Sequence, residues 1–264
     1  MSDSRPVLVA DSGIGGLSVA REIRKARPDL AMVYVADDAA FPYGNWREGE
    51  LTDHVVDLVA GLAREHDPQA VVIACNTAST LVLPGLRARL QVPVVGTVPA
   101  VKPAAERTAS GLISILATPG TVKRDYTFEL IHQFAPEVAV TLVGATRLAA
   151  LAEDKLGQRP VDPDLLAAEI APCFKEKNGR RTDKIVLGCT HYPFLIEEMR
   201  QAAPWEVEWI DPAPAIARRL AAVIAPAGEG AARGRGDLYL RTSGSVAEGL
   251  PFIFDAPAPD GGSV

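Results

Sequence analysis

Two segments of the 264-residue sequence share one plan: Val71-Val72-Ile73-Ala74-Cys75-Asn76-Thr77 and Ile185-Val186-Leu187-Gly188-Cys189-Thr190-His191. Each is an apolar run, a small residue, a cysteine and then side chains that hydrogen-bond. A cysteine that follows a strand and opens a helix meets unpaired backbone N–H groups and the positive end of the helix dipole, and both stabilise a thiolate. Such surroundings lower a free-thiol pKa of about 8.5 by one to several units, which gives a usable thiolate near neutral pH. A lone cysteine is otherwise a core thiol. That is the reading for Cys173, inside the helical run from Ala168 to Phe174, while the matched contexts of Cys75 and Cys189 favour chemistry. His191, two residues past Cys189, can hydrogen-bond the thiol or carry the charge opposite a thiolate. His54, His66 and His132 sit in helical runs and read as surface or packing residues.

A second constellation, Asp11-Ser12-Gly13-Ile14-Gly15-Gly16, follows the first strand and opens a helix, so its glycines bring backbone N–H groups close to an anion. The pattern invites a dinucleotide site with Asp37 or Asp38 as the ribose acid. Two features oppose that reading: Gly13-x-Gly15-x-x-Ser18 lacks the final Gly or Ala, and Asp11 would face the pyrophosphate with a negative charge. No Walker lysine follows either. A carboxylate at this place suits an ammonium group or a catalytic proton.

The elements that must position these residues alternate as βα units, which predicts an α/β fold with mostly parallel sheets. Strands are expected at 6–10, 32–36, 70–74, 94–97, 112–117, 138–144, 184–188, 207–210 and, at an edge, 237–241. Helices are expected at 15–26, 47–65, 80–90, 122–133, 164–177, 196–202 and 214–224. Residues 225–236 read as a Gly/Ala/Arg loop and 255–264 as a loose tail. The pattern restarts after Thr97, which predicts two pseudo-symmetric domains: 1–98 with a returning 209–264, and 99–208. In parallel sheets both cysteines fall at the carboxyl ends of strands, where open α/β folds bind ligands. Two facing halves would set them across one cleft.

Composition narrows the function classes. A net charge of −6 opposes an electrostatic footprint for nucleic acid, and Arg180, Arg181 and Lys184, the nearest approach to a basic cluster, flank Asn178-Gly179 as a solvated loop. The apolar run Val7 to Ala10 is too short for a signal-peptide core, and no run approaches membrane-spanning length. Three cysteines without a CxxC pair indicate neither a disulfide framework nor a structural zinc site, and a reducing cytoplasm fits free thiols.

Four motifs in order, Asp11-Ser12-Gly13-x-Gly15-Gly16-Leu17, Phe41-Pro42-Tyr43-Gly44, Cys75-Asn76-Thr77-Ala78-Ser79 and Leu187-Gly188-Cys189-Thr190-His191-Tyr192-Pro193, resemble the signatures of the bacterial glutamate racemases of the aspartate/glutamate racemase family. Pro99 to Pro103, Leu116 to Thr121 and Thr242-Ser243-Gly244 extend the resemblance over nearly the whole chain. It implies a cofactor-independent racemase with Cys75 and Cys189 as the two acid/base residues. Asp11, Ser12, Tyr43, Gly44, Asn76, Thr77, Thr190 and His191 would contact substrate or tune the thiols, and Thr118 and Thr121 would add contacts to a carboxylate. Glu153 falls where the family often has an acidic residue, but the flanking 145–152 departs from the commoner Cys-Pro pattern, and a solvent-facing helix glutamate is the other reading. The resemblance further implies glutamate as the small-molecule substrate, D-glutamate supply for peptidoglycan as the purpose, no metal or organic cofactor, and room for a homodimer.

The chemistry accounts for such a set. Removing an α-proton without pyridoxal phosphate creates a dianion that only hydrogen bonds in a water-poor pocket can stabilise. Inversion needs a base on one face and a protonated acid on the other. Aspartate racemase has the same general plan, and the Cys189-Thr190-His191-Tyr192-Pro193 sequence and chain length favour glutamate. Other classes stand beside these: a cysteine-nucleophile hydrolase on Cys189 and His191, which leaves Cys75 without a purpose, and a non-catalytic ligand-binding module.

Overall fold

A computed structural model describes residues 5–226 and 237–244. In chain order the first part runs β1 (Val7–Asp11), α1 (Leu17–Ala26), β2 (Met32–Ala36), α2 (Glu48–His66), β3 (Ala70–Ile73), α3 (Asn76–Arg89) and β4 (Val94–Gly96). The second runs α4 (Val101–Arg107), β5 (Leu112–Ala117), α5 (Pro119–Val122), α6 (Asp125–Phe134), β6 (Ala139–Gly144), α7 (Leu148–Leu156), α8 (Pro163–Ile170), a small hairpin of β7 (Glu176–Lys177) and β8 (Arg180–Arg181), β9 (Lys184–Gly188), α9 (Ile196–Ala202) and β10 (Glu208–Ile210). Then follow α10 (Ala213–Val223) and β11 (Leu238–Arg241).

Two sheets result, each wholly parallel apart from the separate hairpin. The first has the order β11-β2-β1-β3-β4 and the second β10-β9-β5-β6. Their central strands are mostly apolar because helices cover both faces; the buried exception within β5 is Ser114, which donates to Cys173 O at 2.6 Å. Along β1, Val7 and Val9 point to the side of α1 and α10, while Leu8 and Ala10 point to α2 and α3, as period-two alternation requires. In the second sheet Ile185 and Leu187 face α7, α8 and α9, and Val186 faces α4 and α6. β10 joins the second sheet, so the expected return at 209 falls inside that strand. After it α10 packs on α1 and β11 pairs with β2.

The topology decides where chemistry can occur. In the first sheet β1 leads to β2 on one side and pairs β3 on the other, so a crevice opens between the carboxyl ends of β1 and β3. In the second sheet the corresponding crevice lies between β5 and β9, where Ala117 pairs with Gly188. Asp11 ends β1 and Cys75 follows β3 by two residues; Thr118 follows β5 and Cys189 follows β9.

Several local expectations are corrected. α4 and α7 form where the sequence pattern shows no helix. The expected helix 122–133 is two helices, because Thr118 caps a short α5 and the chain resets at Arg124. The expected helix 164–177 stops as an α-helix at Ile170 and tightens into a 3₁₀ turn containing Pro172, which has no N–H to continue the ladder. The solvated loop around Arg180 and Arg181 is a hairpin: Asn178 and Gly179 both take positive φ, the geometry of a two-residue turn between strands. Arg181 there pairs with Glu176 and lies over the Trp205 ring. The strand at 238–241 and the Thr242-Ser243-Gly244 motif are described; the 255–264 tail and most of the 225–236 loop lie outside the described residues. Among the described residues no helix is long and apolar enough to cross a membrane, and no group of three or more His, Cys, Asp or Glu side chains could hold a metal ion.

Candidate active site

Cys75 is the N-cap of α3, immediately after the buried strand β3. Its sulfur donates to Ser12 Oγ at 3.7 Å, and it is 6% exposed. The helix terminus does not lower its pKa as the sequence pattern suggests: burial, with the Asp11 charge and the Cys189 thiol added, pushes the thiol up to about 12. Desolvation outweighs a dipole that is equivalent to only about half a charge. This setting favours the protonated thiol at Cys75.

Cys189 is placed differently. The residues after it form a turn and then a 3₁₀ segment at Tyr192–Leu195, so the expected α-helix N-terminus is absent here. Its partner is His191, whose Nδ1 lies 3.7 Å from Sγ and whose Nε2 lies 2.8 Å from Glu153 Oε1. Burial lowers the His191 pKa, but the hydrogen bonds to Cys189 and Glu153 and the Asp11 charge overcome it and hold the imidazole well above its ordinary value. A positive ring beside the sulfur is the electrostatic partner a thiolate takes.

Asp11 ties the halves together. It accepts from Gly13 N at 3.1 Å and from Thr190 Oγ1 at 3.1 Å, and desolvation raises its pKa despite the His191 charge and these bonds. Ser18 adds a second link by donating to Thr190 O at 3.0 Å and Gly15 O at 2.9 Å. The glycines of this turn are required by close approach: a Cβ at Gly15 would stand 2.6 Å from His191 Cε1, and one at Gly13 would stand 2.6 Å from Glu153 Oε1. The turn cradles an imidazole and a carboxylate, which accounts for the imperfect dinucleotide spacing. Asp37, the candidate ribose acid, is instead buried and accepts from Tyr43, His54 and Thr242.

Across the cleft Thr77, Thr118 and Thr121 form a triangle of hydroxyls with edges of 3.0, 3.3 and 3.1 Å. Gly44 lies opposite Gly120 of this group. Asn76 is 2% exposed, and neither its amide nitrogen nor its oxygen has a hydrogen-bond partner among the described residues. Leaving a buried amide without partners costs about 1–3 kcal/mol.

Hydrogen bonds thus link the predicted residues in pairs, Asp11 with Thr190, Ser12 with Cys75, and Cys189 with His191, while Thr77 joins Thr118 and Thr121 and Gly44 lies against Gly120. Glu153, read as either a site acid or a solvent-facing glutamate, bridges His191 and Ile14 N at 3.2 Å. Sequence reasoning missed what Phe41 and Ser18 do: Phe41 packs on the His191 ring at 5.5 Å, and Ser18 holds the Thr190 turn. Phe41 stands in a quoted motif and could have been found there; nothing local marks Ser18. Cys173 is fully buried, as a core thiol, and His54 is more than a packing residue because it bonds Asp37.

Two parallel sheets that each bring a thiol to a facing crevice, around one shared carboxylate, define a class, and the chain belongs to the Asp/Glu/Hydantoin racemase family, whose model matches residues 17–220. Within that class its sequence is similar to glutamate racemases. It is 58% identical to the one from Brucella canis over 225 residues, 85% of this chain and 81% of the relative, and 56% identical to the one from Mesorhizobium japonicum over 243 residues, 92% and 93%. The crystal structure of Escherichia coli glutamate racemase, in complex with L-glutamate and the activator UDP-MurNAc-Ala, is similar with a TM-score of 0.79 at 45% identity, covering 84% of each chain.

Proposed function

We propose that this protein interconverts L- and D-glutamate by proton transfer at the α-carbon between two thiols, with no cofactor taking part. The observation that supports the reading is the pair Cys75 and Cys189, each just past the carboxyl end of a parallel strand, with Asp11 beside Cys75 and bonded to Thr190 next to Cys189, and with His191 against the Cys189 sulfur. The similarity to glutamate racemases over more than four-fifths of the chain supports glutamate as the substrate.

Cys189, beside the imidazolium of His191, is the base toward L-glutamate. Its thiolate takes the α-proton, and the electron pair passes into the α-carboxylate as a planar dianion. Cys75, protonated, then delivers its proton to the opposite face, and D-glutamate forms. In the reverse direction the roles exchange. Asn76, Ser12 and Thr190 supply donors to the developing charge in a site from which water is largely excluded. Thr77, Thr118 and Thr121 receive the side-chain carboxylate with neutral hydroxyls.

The two domains we assign are 1–98 with the segment after β10, and the intervening chain; the separate sheets and the return of α10 to α1 support this. The described cysteines are all free, in keeping with a reducing cytoplasm, where the product would supply peptidoglycan synthesis. A homodimer is the assembly we propose on the family resemblance. The test of function is incubation with L-glutamate in D₂O, with aspartate in parallel. Racemisation yields α-deuterated glutamate of both configurations; unexchanged L-glutamate would overturn the reading.

A further inference from the structure

We infer that His54 and Thr242 are positioning residues for the Cys75 side of the site, acting through the Asp37 carboxylate on Tyr43. The inference rests on the proposal that Cys75 is one of the two acid/base groups.

Asp37 is 2% exposed just past the β2 strand, and His54 Nε2 lies against its carboxylate. Oδ2 accepts from Tyr43 OH at 2.6 Å and meets His54 Nε2 at 2.6 Å, while Oδ1 accepts from Thr242 Oγ1 at 2.7 Å. Oδ2 already accepts from the Tyr43 hydroxyl, so the tautomer of His54 that fits the contact carries its hydrogen on Nε2. The three donors come from three separate parts of the chain: a 3₁₀ turn, helix α2, and the residue just after β11. A buried carboxylate bonded from three directions has one orientation, and Tyr43 takes its place from that orientation.

Each donor is itself braced. The His54 ring stacks on Trp46 with centroids 5.0 Å apart, and Trp46 Nε1 donates to Ala40 O at 2.9 Å. Thr242 Oγ1 also accepts from Ala39 N at 3.2 Å, and its neighbours Arg241 and Ser243 both bond Asp38. The whole 37–46 segment is thus held from α2 on one side and from the returning chain end on the other. That segment presents Phe41 to His191 and Gly44 to Gly120. Tyr43, Asp37, Asp11 and Cys75 line one small cavity of about 10 Å³, at the lower limit of the room a single water needs. A phenol released from Asp37 has this cavity to move into, beside the thiol. The Thr242-Ser243-Gly244 motif, more than 160 residues from Cys75, acquires a purpose in this way.

The test compares Thr242→Val with Thr242→Ser and His54→Phe with His54→Gln, the second of each pair keeping a donor. Because the equilibrium constant of a racemisation is one, kcat/KM must fall equally in both directions. The discriminating readout is the deuterium isotope effect on kcat/KM. With α-deuterated D-glutamate, whose proton Cys75 removes, it should rise; with α-deuterated L-glutamate it should fall. Losing one hydrogen bond to a charged group predicts roughly a tenfold fall in kcat/KM for Thr242→Val and His54→Phe. The donor-keeping variants should restore both the rate and the isotope effects. Melting temperatures check folding, and the His54 pair carries the test should Thr242→Val not fold. Isotope effects that stay at parent values in folded variants would overturn the inference while leaving the racemase reading intact. A parent protein that fails to racemise glutamate would instead overturn that reading.

Discussion

Substituting Gly15 by alanine separates the placement of His191 from its chemistry. A methyl at Gly15 would stand 2.6 Å from Cε1 and 2.7 Å from Cγ of His191, and closer still to Nδ1. Carbon atoms pack at about 3.5–4.0 Å, so the ring must withdraw by about 1 Å. It cannot do so and keep both partners, since Nδ1 is already 3.7 Å from Cys189 Sγ and Nε2 is 2.8 Å from Glu153. Misplacing a catalytic group by about 1 Å costs on the order of 100-fold in rate. Overpacking of this kind costs about 1–3 kcal/mol, which leaves a domain of ordinary stability folded. Gly15→Ala should therefore lose about two orders of magnitude in kcat/KM, equally in both directions, while it melts cooperatively. The isotope effect with α-deuterated L-glutamate should rise and that with the D-form should fall, the reverse of the pattern expected for the Thr242 and His54 variants. Circular dichroism follows both racemisation and melting. Gly49→Ala is the control: a Cβ there meets nothing within 4 Å, and in helix α2 it should stabilise by roughly 0.5–1 kcal/mol without changing the rate. A Gly15→Ala protein that racemises at the parent's rate would refute the account of His191.

Three further outcomes follow from the geometry. Neither Cys75→Ser nor Cys189→Ser should racemise, but with a glutamate analogue that loses a β-leaving group after deprotonation, Cys75→Ser should keep elimination from the L-form and Cys189→Ser from the D-form; equal loss of both in both variants would argue against one thiol per face. Thr121→Ala should lower kcat/KM for glutamate by about tenfold, with aspartate less affected, since one hydroxyl leaves the triangle proposed to receive the longer side chain; an unchanged glutamate-to-aspartate ratio would contradict that assignment. The Cys75 thiol, raised from 9.0 to about 12 in the folded state, contributes stability that is fully present below pH 9 and lost as pH rises toward 12. From pH 7 to pH 10.5 the parent should therefore lose about 2 kcal/mol more than Cys75→Ala in denaturant titrations, and parallel pH dependences would show that the thiol is not buried as described.

Much of this molecule is readable in order along the chain. The strands at 32–36, 112–117 and 184–188 coincide with their expected bounds because a strand covered on both faces needs a mostly apolar run, which Ser114 interrupts with its hydroxyl bonded to Cys173 O. The two cysteines are legible for the same reason, since each stands where an apolar run gives way to hydrogen-bonding side chains. Helices fared less well. α4 and α7 were not visible, and Pro172 cut short a helix that periodicity alone would carry to residue 177. Their formation depends on a sheet to pack against more than on their own residues.

The character of each site group was decided only in three dimensions. Sequence context treats Cys75 and Cys189 as equivalents, each with a lowered pKa, yet burial and Asp11 make one a held acid while a histidine serves the other. Asp37 looked like a ribose acid beside a glycine turn, and became the acceptor for Tyr43, His54 and Thr242, the last from the far end of the chain. Glu153 stood open between a site acid and a solvent-facing helix glutamate, because its partners, Ile14 and His191, approach from distant parts of the chain. Residue types and their spacing specify which groups can do chemistry and at which strand ends they stand. Desolvation and long-range partners specify their charge states, because both depend on how the two sheets close on one another.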